Sequence, residues 1–444
     1  MAIRAPLDFV HGVTGGAAPN IRVPLDFVHG VTGGYGEHIR TSLDYIAAVT
    51  GGPPGISHIR VALNFICAVV PEPEPLPVAT YRFPTQTTGI KWDRQKEPSG
   101  NNARREMTSG KRSVTPFMIY PRWNFTVDFE VAPDNRYVTL NPKIAAVNAI
   151  IDLYKNTLFG AYTFLYHDKD DYHIVGGSIA TGDGVTLQWP FFAPIMGETA
   201  LEPVGQIDLD SYVSFASSAV NTGTNQINIP GHGFTTGQEP PVFVSNTGGS
   251  LPTGLSALTP YWIIAVDANN ISLATTLPRA LANDAITLSA TGSGTDTISK
   301  GWAAYRQTPE TDSVPGSPAY TITVTNAATF ASDEGVTHSG TPLTKVAGTP
   351  GAGQYAVDTT TGVYTFNAAQ ASASVVITYT YRDTNTTLTL PNQLVFGSAP
   401  TSGDIITADF DFFFVCRFDE DKLPVSEFAS RLYEIQKLTF SSEV

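Results

Sequence analysis

Between Ile21 and Gly30, apolar and polar positions alternate: Ile21, Val23, Leu25 and Phe27 are apolar, while Arg22, Asp26 and Gly30 fall between them. That is the period of a β-strand, not of a helix. The pattern recurs as IRAPLDFVHGVTGG from Ile3, IRVPLDFVHGVTGG from Ile21, IRTSLDYIAAVTGG from Ile39 and IRVALNFICAVV from Ile59. Gly33-Gly34 and Gly51-Gly52 supply residues free to take φ > 0 where the chain turns. One strand of about 10 residues per unit would span roughly 33 Å. Two arrangements fit: a four-stranded meander that shields its own core, or an arm whose units add to the sheets of neighbouring subunits. His11 and His29 are equivalent, as are His38 and His58; repetition explains the spacing without a metal ring. PEPEPLP (Pro71 to Pro77) then reads as an extended proline-rich spacer, placing a boundary near residue 77.

From 78 to 212 the pattern predicts a first part of a core. RWNFTVDFEV alternates Trp123, Phe125, Val127 and Phe129 against Asn124, Thr126, Asp128 and Glu130, a half-buried strand. A helix follows, with Asn141 as cap, Pro142 in the first turn, and Ile144, Val147, Ile151, Tyr154 and Leu158 on one face before Gly160. FLYHDKDDY (Phe164–Tyr172) is a strand entering a solvated acidic turn, and IATGDGVTLQWPF (Ile179–Phe191) has the look of a hairpin.

Residues 213–301 are polar and rich in Thr, Asn and Gly, with short strands at Tyr261–Asp267 and Asn270–Ala274, so they read as an inserted small β module. A second inserted β module spans 302–383, where Val375, Ile377, Tyr379 and Tyr381 alternate. Tyr364–Tyr381 and Leu394–Phe412 look like two hairpins with the same turn logic. Residues 384–444 return to the core. In ADFDFFFVCRF, Phe410, Phe412, Phe414, Cys416 and Phe418 point one way, while Asp409, Asp411, Phe413, Val415 and Arg417 point the other. Burying each Phe is worth roughly 1.5–3 kcal/mol, so this strand must be central and covered on both sides. The expected fold class is mainly β: a sandwich- or barrel-like core with one packed helix, inserted β modules and an N-terminal β-repeat arm.

Composition narrows function. The 444 residues carry 26 basic and 40 acidic side chains, a net charge of −14, which argues against a nucleic-acid-binding surface. The two cysteines, Cys67 and Cys416, read as buried small hydrophobes in a protein folded in a reducing compartment. Arg4, Asp8 and His11 interrupt any signal-peptide core, and no stretch approaches a membrane helix.

Chemistry is sparse. HDKDDYH (His167–His173) has His173 where a calcium loop starting at Asp168 would need Gly. GDG at Gly182–Gly184 lacks the Lys and helix of a phosphate loop, and no GxSxG, HExxH or CxxC occurs. No catalytic, cofactor or metal residue is expected. A basic run, Lys91, Arg94, Lys96, Arg104, Arg105, Lys111 and Arg112, sits in a Gly/Asn/Ser-rich segment. Its expected partner is an acidic surface of a neighbouring subunit.

RWNFTVDF (Arg122–Phe129), the helix from near Ile144, FLYHDKDDY, IATGDGVTLQWPF and DFDFFFVCRFDEDKL (Asp409–Leu423) together resemble, in that order, the distal tail protein family of long-tailed bacteriophages and gene transfer agents. The resemblance covers roughly 78–212 and 384–444; the repeats and the two insertions depart from it. It implies a structural virion protein of the tail tip, assembled in the host cytoplasm. It also implies a homo-oligomeric, usually six-fold ring that joins the tail tube protein to hub and baseplate proteins. Genomic DNA would pass its channel without specific binding. On this reading Trp123, Phe125, Phe129, Phe410, Phe412, Phe414, Arg417 and Phe418 serve core and ring assembly, with the inserted modules outside and open to contact with surface glycans. The alternative is a cell-surface carbohydrate-binding or polysaccharide-hydrolysing β protein, suggested by aromatics such as Tyr261-Trp262.

Overall fold

The computed structural model describes residues 78–84, 94–106, 112–133, 145–423, 425–429 and 432–443, and, within the first 77, the backbone of short strands at 13–15, 20–24, 31–33, 38–42, 49–50, 58–62 and 69–70. The chain forms two compact units, Met1–Pro77 and Val78–Val444.

In the first unit the strands pair parallel and in register. Val13, Val31, Val49 and Val69 stand side by side, and so do Ile21, Ile39 and Ile59. An antiparallel meander is therefore ruled out, and the repeats from Ile21, Ile39 and Ile59 each contribute two short strands rather than one long one. Parallel neighbours need a crossover of a dozen or more residues, which a whole repeat supplies. Stacking equivalent residues in this way is the solenoid arrangement.

The second unit is mainly β, with predominantly antiparallel sheets. It is organised around one 14-residue strand, Ile405–Phe418, in which every residue from Ala408 to Cys416 is buried. Along its first half it pairs with Trp302–Ser313 and with His173–Thr181. Further along it meets Gln206–Ile207, Phe164–Tyr166 and finally Leu432–Ser442. The sheet continues from Leu432–Ser442 through Arg122–Pro133 to Gln95–Ser99. In the other direction it continues from Trp302–Ser313 through Ser374–Arg382 to Phe330–His338.

The alternation expected for this strand holds. On one face Phe410, Phe412, Phe414, Cys416 and Phe418 join Trp123, Phe125, Phe164 and Phe440 in the main core. Ring centroids lie 4.5 Å apart for Phe164–Phe418, 4.8 Å for Phe191–Phe410 and 5.2 Å for Phe125–Phe414. Helix Ala145–Asn156 covers part of this face with Ile150, Leu153 and Tyr154, the last packing edge-on against Phe418. Phe413 and Val415, on the opposite face, pack with Ala79 and Leu165. The Arg82 guanidinium lies 5.1 Å above the Phe413 ring. At Gly205 a Cβ would come within 2.6 Å of the Phe413 carbonyl and the Val415 amide, so only glycine allows this close approach.

Several local expectations change. The helix ends at Asn156, and Leu158 is exposed because the chain turns through positive φ from Leu158 to Gly160. The expected capping residues Asn141 and Pro142 lie outside the described residues. Residues 179–191 are not a hairpin: Thr181 ends a strand on the central strand, whereas Gln188–Pro190 pairs with Gln393–Phe396. Tyr364–Tyr381 and Leu394–Phe412 are not hairpins either. Val363–Phe366 pairs with Gln354–Asp358, while Ser374–Arg382 pairs with Trp302–Ser313. Gln393–Phe396 and the central strand likewise take different partners. Both segments are corners at which the chain changes sheets.

The expected module at 213–301 has its own core, with Val244, Ile263, Ile271 and Ile298 at its centre. The strands at Trp262–Ala265 and Asn270–Ala274 pair as expected, and the Asp267 carboxylate accepts from the Asn269 and Asn270 amides in their turn. A five-residue helix, Leu277–Leu281, was not anticipated. A third cluster unites Val314, Phe330, Tyr364, Val375, Ile377 and Tyr379. Its first strand, Trp302–Ser313, pairs directly with the central strand, so this segment is continuous with the main sheet rather than hung from it. Cys416 is a free, buried thiol; Cys67 lies outside the described residues.

The burial of Phe412 gives a direct check on this architecture. Phe412→Ala should lower the unfolding free energy by about 3–5 kcal/mol, measured by urea denaturation. Val185→Ala, at an 80 % exposed position, should change it by less than about 0.5 kcal/mol.

Candidate assembly surface and buried charge cluster

The acidic turn after Phe164–Tyr166 is solvated only in part: Lys169 and Asp170 are exposed, whereas Asp168 is buried. Edge strand Gln95–Ser99 carries Lys96 over it, with Nζ 2.8 Å from Asp168 and 2.5 Å from Asp171. Asp168 is only 4 % exposed. The same ammonium lies 4.6 Å from the Phe414 ring centroid and 5.1 Å from that of Trp123, adding cation–π attraction in a desolvated place. Arg94 reaches Asp170 at 3.7 Å, on the surface. Two members of the basic run thus find their acidic partners within their own chain.

The rest of the run divides. Asn102–Glu106 and Arg112–Pro116 form a hairpin with Arg104 opposite Val114 and Glu106 opposite Arg112. Arg104 and Arg112 are exposed. Arg105 is placed in the hairpin by its backbone; its side chain, Lys91 and Lys111 lie outside the described residues. Beside these arginines Val114, Phe117 and Ile119 are 52 %, 64 % and 92 % exposed. Exposed apolar side chains next to arginine have the composition of a contact surface. The run Val114–Tyr120 is visibly apolar in the sequence, but nothing in it signals exposure rather than burial.

The residues expected to serve both core and ring go to the core. Trp123, Phe125, Phe410, Phe412, Phe414 and Phe418 are buried within the chain. The Trp123 indole N–H donates to Glu202 at 2.7 Å. Phe129 lies in strand Arg122–Pro133, but its side chain is outside the described residues. Arg417 is held by Glu443 at 2.9 Å and donates to the Ala161 carbonyl. Because both faces of the central strand are covered internally, it leaves no apolar face for a neighbour.

A second charged group sits on the other face of that strand. Lys300 Nζ lies 2.7 Å from Asp208 and 2.8 Å from Asp411. Burial pulls the Lys300 ammonium down, but the two carboxylates outweigh it and hold its pKa above the usual value. His173 Nδ1 is 2.8 Å from Asp411, and this hydrogen bond raises the imidazole above its ordinary pKa despite partial burial. Two residues away, Asp409 accepts from the Tyr305 hydroxyl at 2.5 Å and from the Gly176 amide at 2.7 Å. Burial pushes Asp409 up, and burial together with the Asp409 charge lifts Glu239 to about 6. The arrangement is a set of paired, buried charges that joins the module's last strand to the core. Among the described residues no grouping of His, Cys, Asp and Glu is placed to hold a metal ion.

No protein-family model matches the chain, and no curated protein matches it.

Two substitutions test these charges. Lys96→Met leaves two carboxylates over an aromatic core without their partner and should cost about 3–5 kcal/mol. Arg94→Met, which breaks a 3.7 Å pair with an exposed Asp170, should cost less than Lys96→Met; urea unfolding at neutral pH separates the two. For His173 the folded pKa is raised, so its contribution is complete below the unfolded value near 6.5 and is lost as pH rises through the folded value. The stability gap between wild type and His173→Gln should therefore be larger at about pH 5.5 than at about pH 8.5.

Proposed function

We propose that the chain is a structural protein of a phage-type tail tip, of the distal tail kind. In this reading it closes into a ring, joins the tail tube to hub and baseplate proteins, and lets genomic DNA pass without holding it. One observation carries the proposal: the segments that resemble that family, though far apart in sequence, pack around a single strand. Trp123 and Phe125, the helix residues Ile150 and Leu153, Phe164 and Tyr166, and Phe410, Phe412, Phe414 and Phe418 share one core. The insertions add cores of their own and also lend Phe243, Trp302 and Ala304 to the shared one. A ring needs head-to-tail contacts whose rotation closes, and the exposed Arg104, Val114, Phe117 and Ile119 supply one half of such a contact. The inserted modules then lie outside the ring, and the −14 net charge suits a lumen that a polyanion slides past. The protein would be assembled in the host cytoplasm and reside in the virion tail tip. Among the described residues no helix is long and apolar enough to cross a membrane.

Mass measurement on the purified protein tests this. Six copies of a 47.5 kDa chain give about 285 kDa. Phe117→Asp with Ile119→Asp should yield a folded, cooperatively unfolding monomer, because both positions are exposed within the chain. Arg104→Glu with Arg105→Glu should weaken assembly in a way that fades as salt rises, the Debye length being about 10 Å at 0.1 M. A wild-type protein that is strictly monomeric and absent from particles would sink the reading.

A further inference from the structure

A cavity of about 320 Å³ lies where strands of the 211–300 module, the 302–382 strands and the central strand meet. That is the small end of the range of ligand pockets. Val175 and Glu334, both in its lining, are exposed and mark its mouth.

Two donor-only groups in its wall each have a buried N–H without an acceptor. Arg382 is 6 % exposed, and burial pulls its guanidinium below the ordinary pKa, opposed in part by the charge of Asp383. Its neighbour Asp383 is engaged by Arg306, whose Nε lies 2.5 Å away. Arg382 makes no ion pair with a described residue, and its Nε has no acceptor. Trp262 is 1 % exposed, and its Nε1 also has no acceptor. A buried guanidinium without a contacting carboxylate is costly, and so is a buried donor without an acceptor. Both costs are relieved by the same thing, an anionic oxygen brought from outside.

The remaining lining describes the rest of such a molecule. Asp409 is already satisfied by Tyr305 and Gly176, so it asks for nothing more. Glu239 makes no hydrogen bond or ion pair with a described residue and is free to accept from a hydroxyl. Thr276 and Thr407 add hydroxyls that both donate and accept, and Thr380, whose hydroxyl donates to Glu334, adds an acceptor. We propose that this cavity binds a small hydroxylated carboxylate, its carboxylate on Arg382 and Trp262 and its hydroxyls toward Glu239 and the threonines. A uronic-acid unit of a polysaccharide and a free hydroxy acid share this chemistry. The site stands or falls independently of ring formation, since it lies within one chain.

Isothermal titration calorimetry of the full chain with sodium D-glucuronate, sodium lactate, sodium acetate and D-glucose tests it. Glucuronate or lactate should bind at least tenfold more tightly than glucose and acetate. Tighter binding of glucuronate assigns the site to a saccharide, and tighter binding of lactate to a free acid. Arg382→Met should abolish the heat, and Ala331→Leu should do so by filling the cavity with Arg382 in place. If Arg382→Met does not fold, Ala331→Leu and Trp262→Phe carry the test. The proposal is overturned if no carboxylate binds at millimolar concentration, if acetate binds as tightly as the hydroxylated acids, or if folded variants bind like wild type.

Discussion

The strand Ile405–Phe418 has to be enclosed on every side. Its residues from Ala408 to Cys416 are buried, so each amide and carbonyl needs a partner strand and each face needs a cover. No single neighbour supplies this. Five separate segments pair with it in turn, from residues 164, 173, 206, 302 and 432 onward. Much of the architecture of residues 78–444 follows from bringing those segments to one place.

Aromatic side chains meet that requirement on one face, and paired charges meet part of it on the other. Asp409 and Asp411 occupy positions where solvent would normally be found, yet each is only 2 % exposed. Carboxylates there are tolerable only if charge and hydrogen bonds come to them. Lys300, His173 and Tyr305 answer that need. Lys300 belongs to the last strand of the inserted module, and Tyr305 to the strand after it. The insertion is therefore bound to the core by electrostatic necessity as well as by apolar contact through Trp262, Ala303 and Tyr305. Cutting at the composition boundary of residue 301 would take Lys300 away and leave Asp208 and Asp411 facing each other's burial without it.

The central strand was legible because ADFDFFFVCRF alternates strongly on one face and is still apolar on part of the other. The strands at Arg122–Pro133, Phe164–Tyr166 and Ser374–Arg382 were legible for the same reason. Partnership was not. Period two is the same whether neighbours run parallel or antiparallel, so the repeats could not reveal their parallel stacking. Turn residues such as Gly182 and Gly184 signal a bend, but not whether the strands flanking it pair with each other. The charged sites were hidden for a related reason. Lys96 read as one more member of a basic run, and its partner Asp168 as part of a solvated turn. Asp411 meets His173 across 238 residues of chain, a distance no local pattern reports.

The cavity beside Arg382 is the remainder of this arrangement. Around the central strand, buried charge is matched within the chain: Lys96 by Asp168 and Asp171, Lys300 by Asp208 and Asp411, Arg306 by Asp383. Each pairing uses carboxylates that could otherwise have served a neighbour, and the last of them takes the acid beside Arg382. The guanidinium that loses this competition lines a space with room for a small molecule. The junction between module and core thus holds a buried guanidinium that no described carboxylate contacts, because the acid next to it in sequence is held by Arg306.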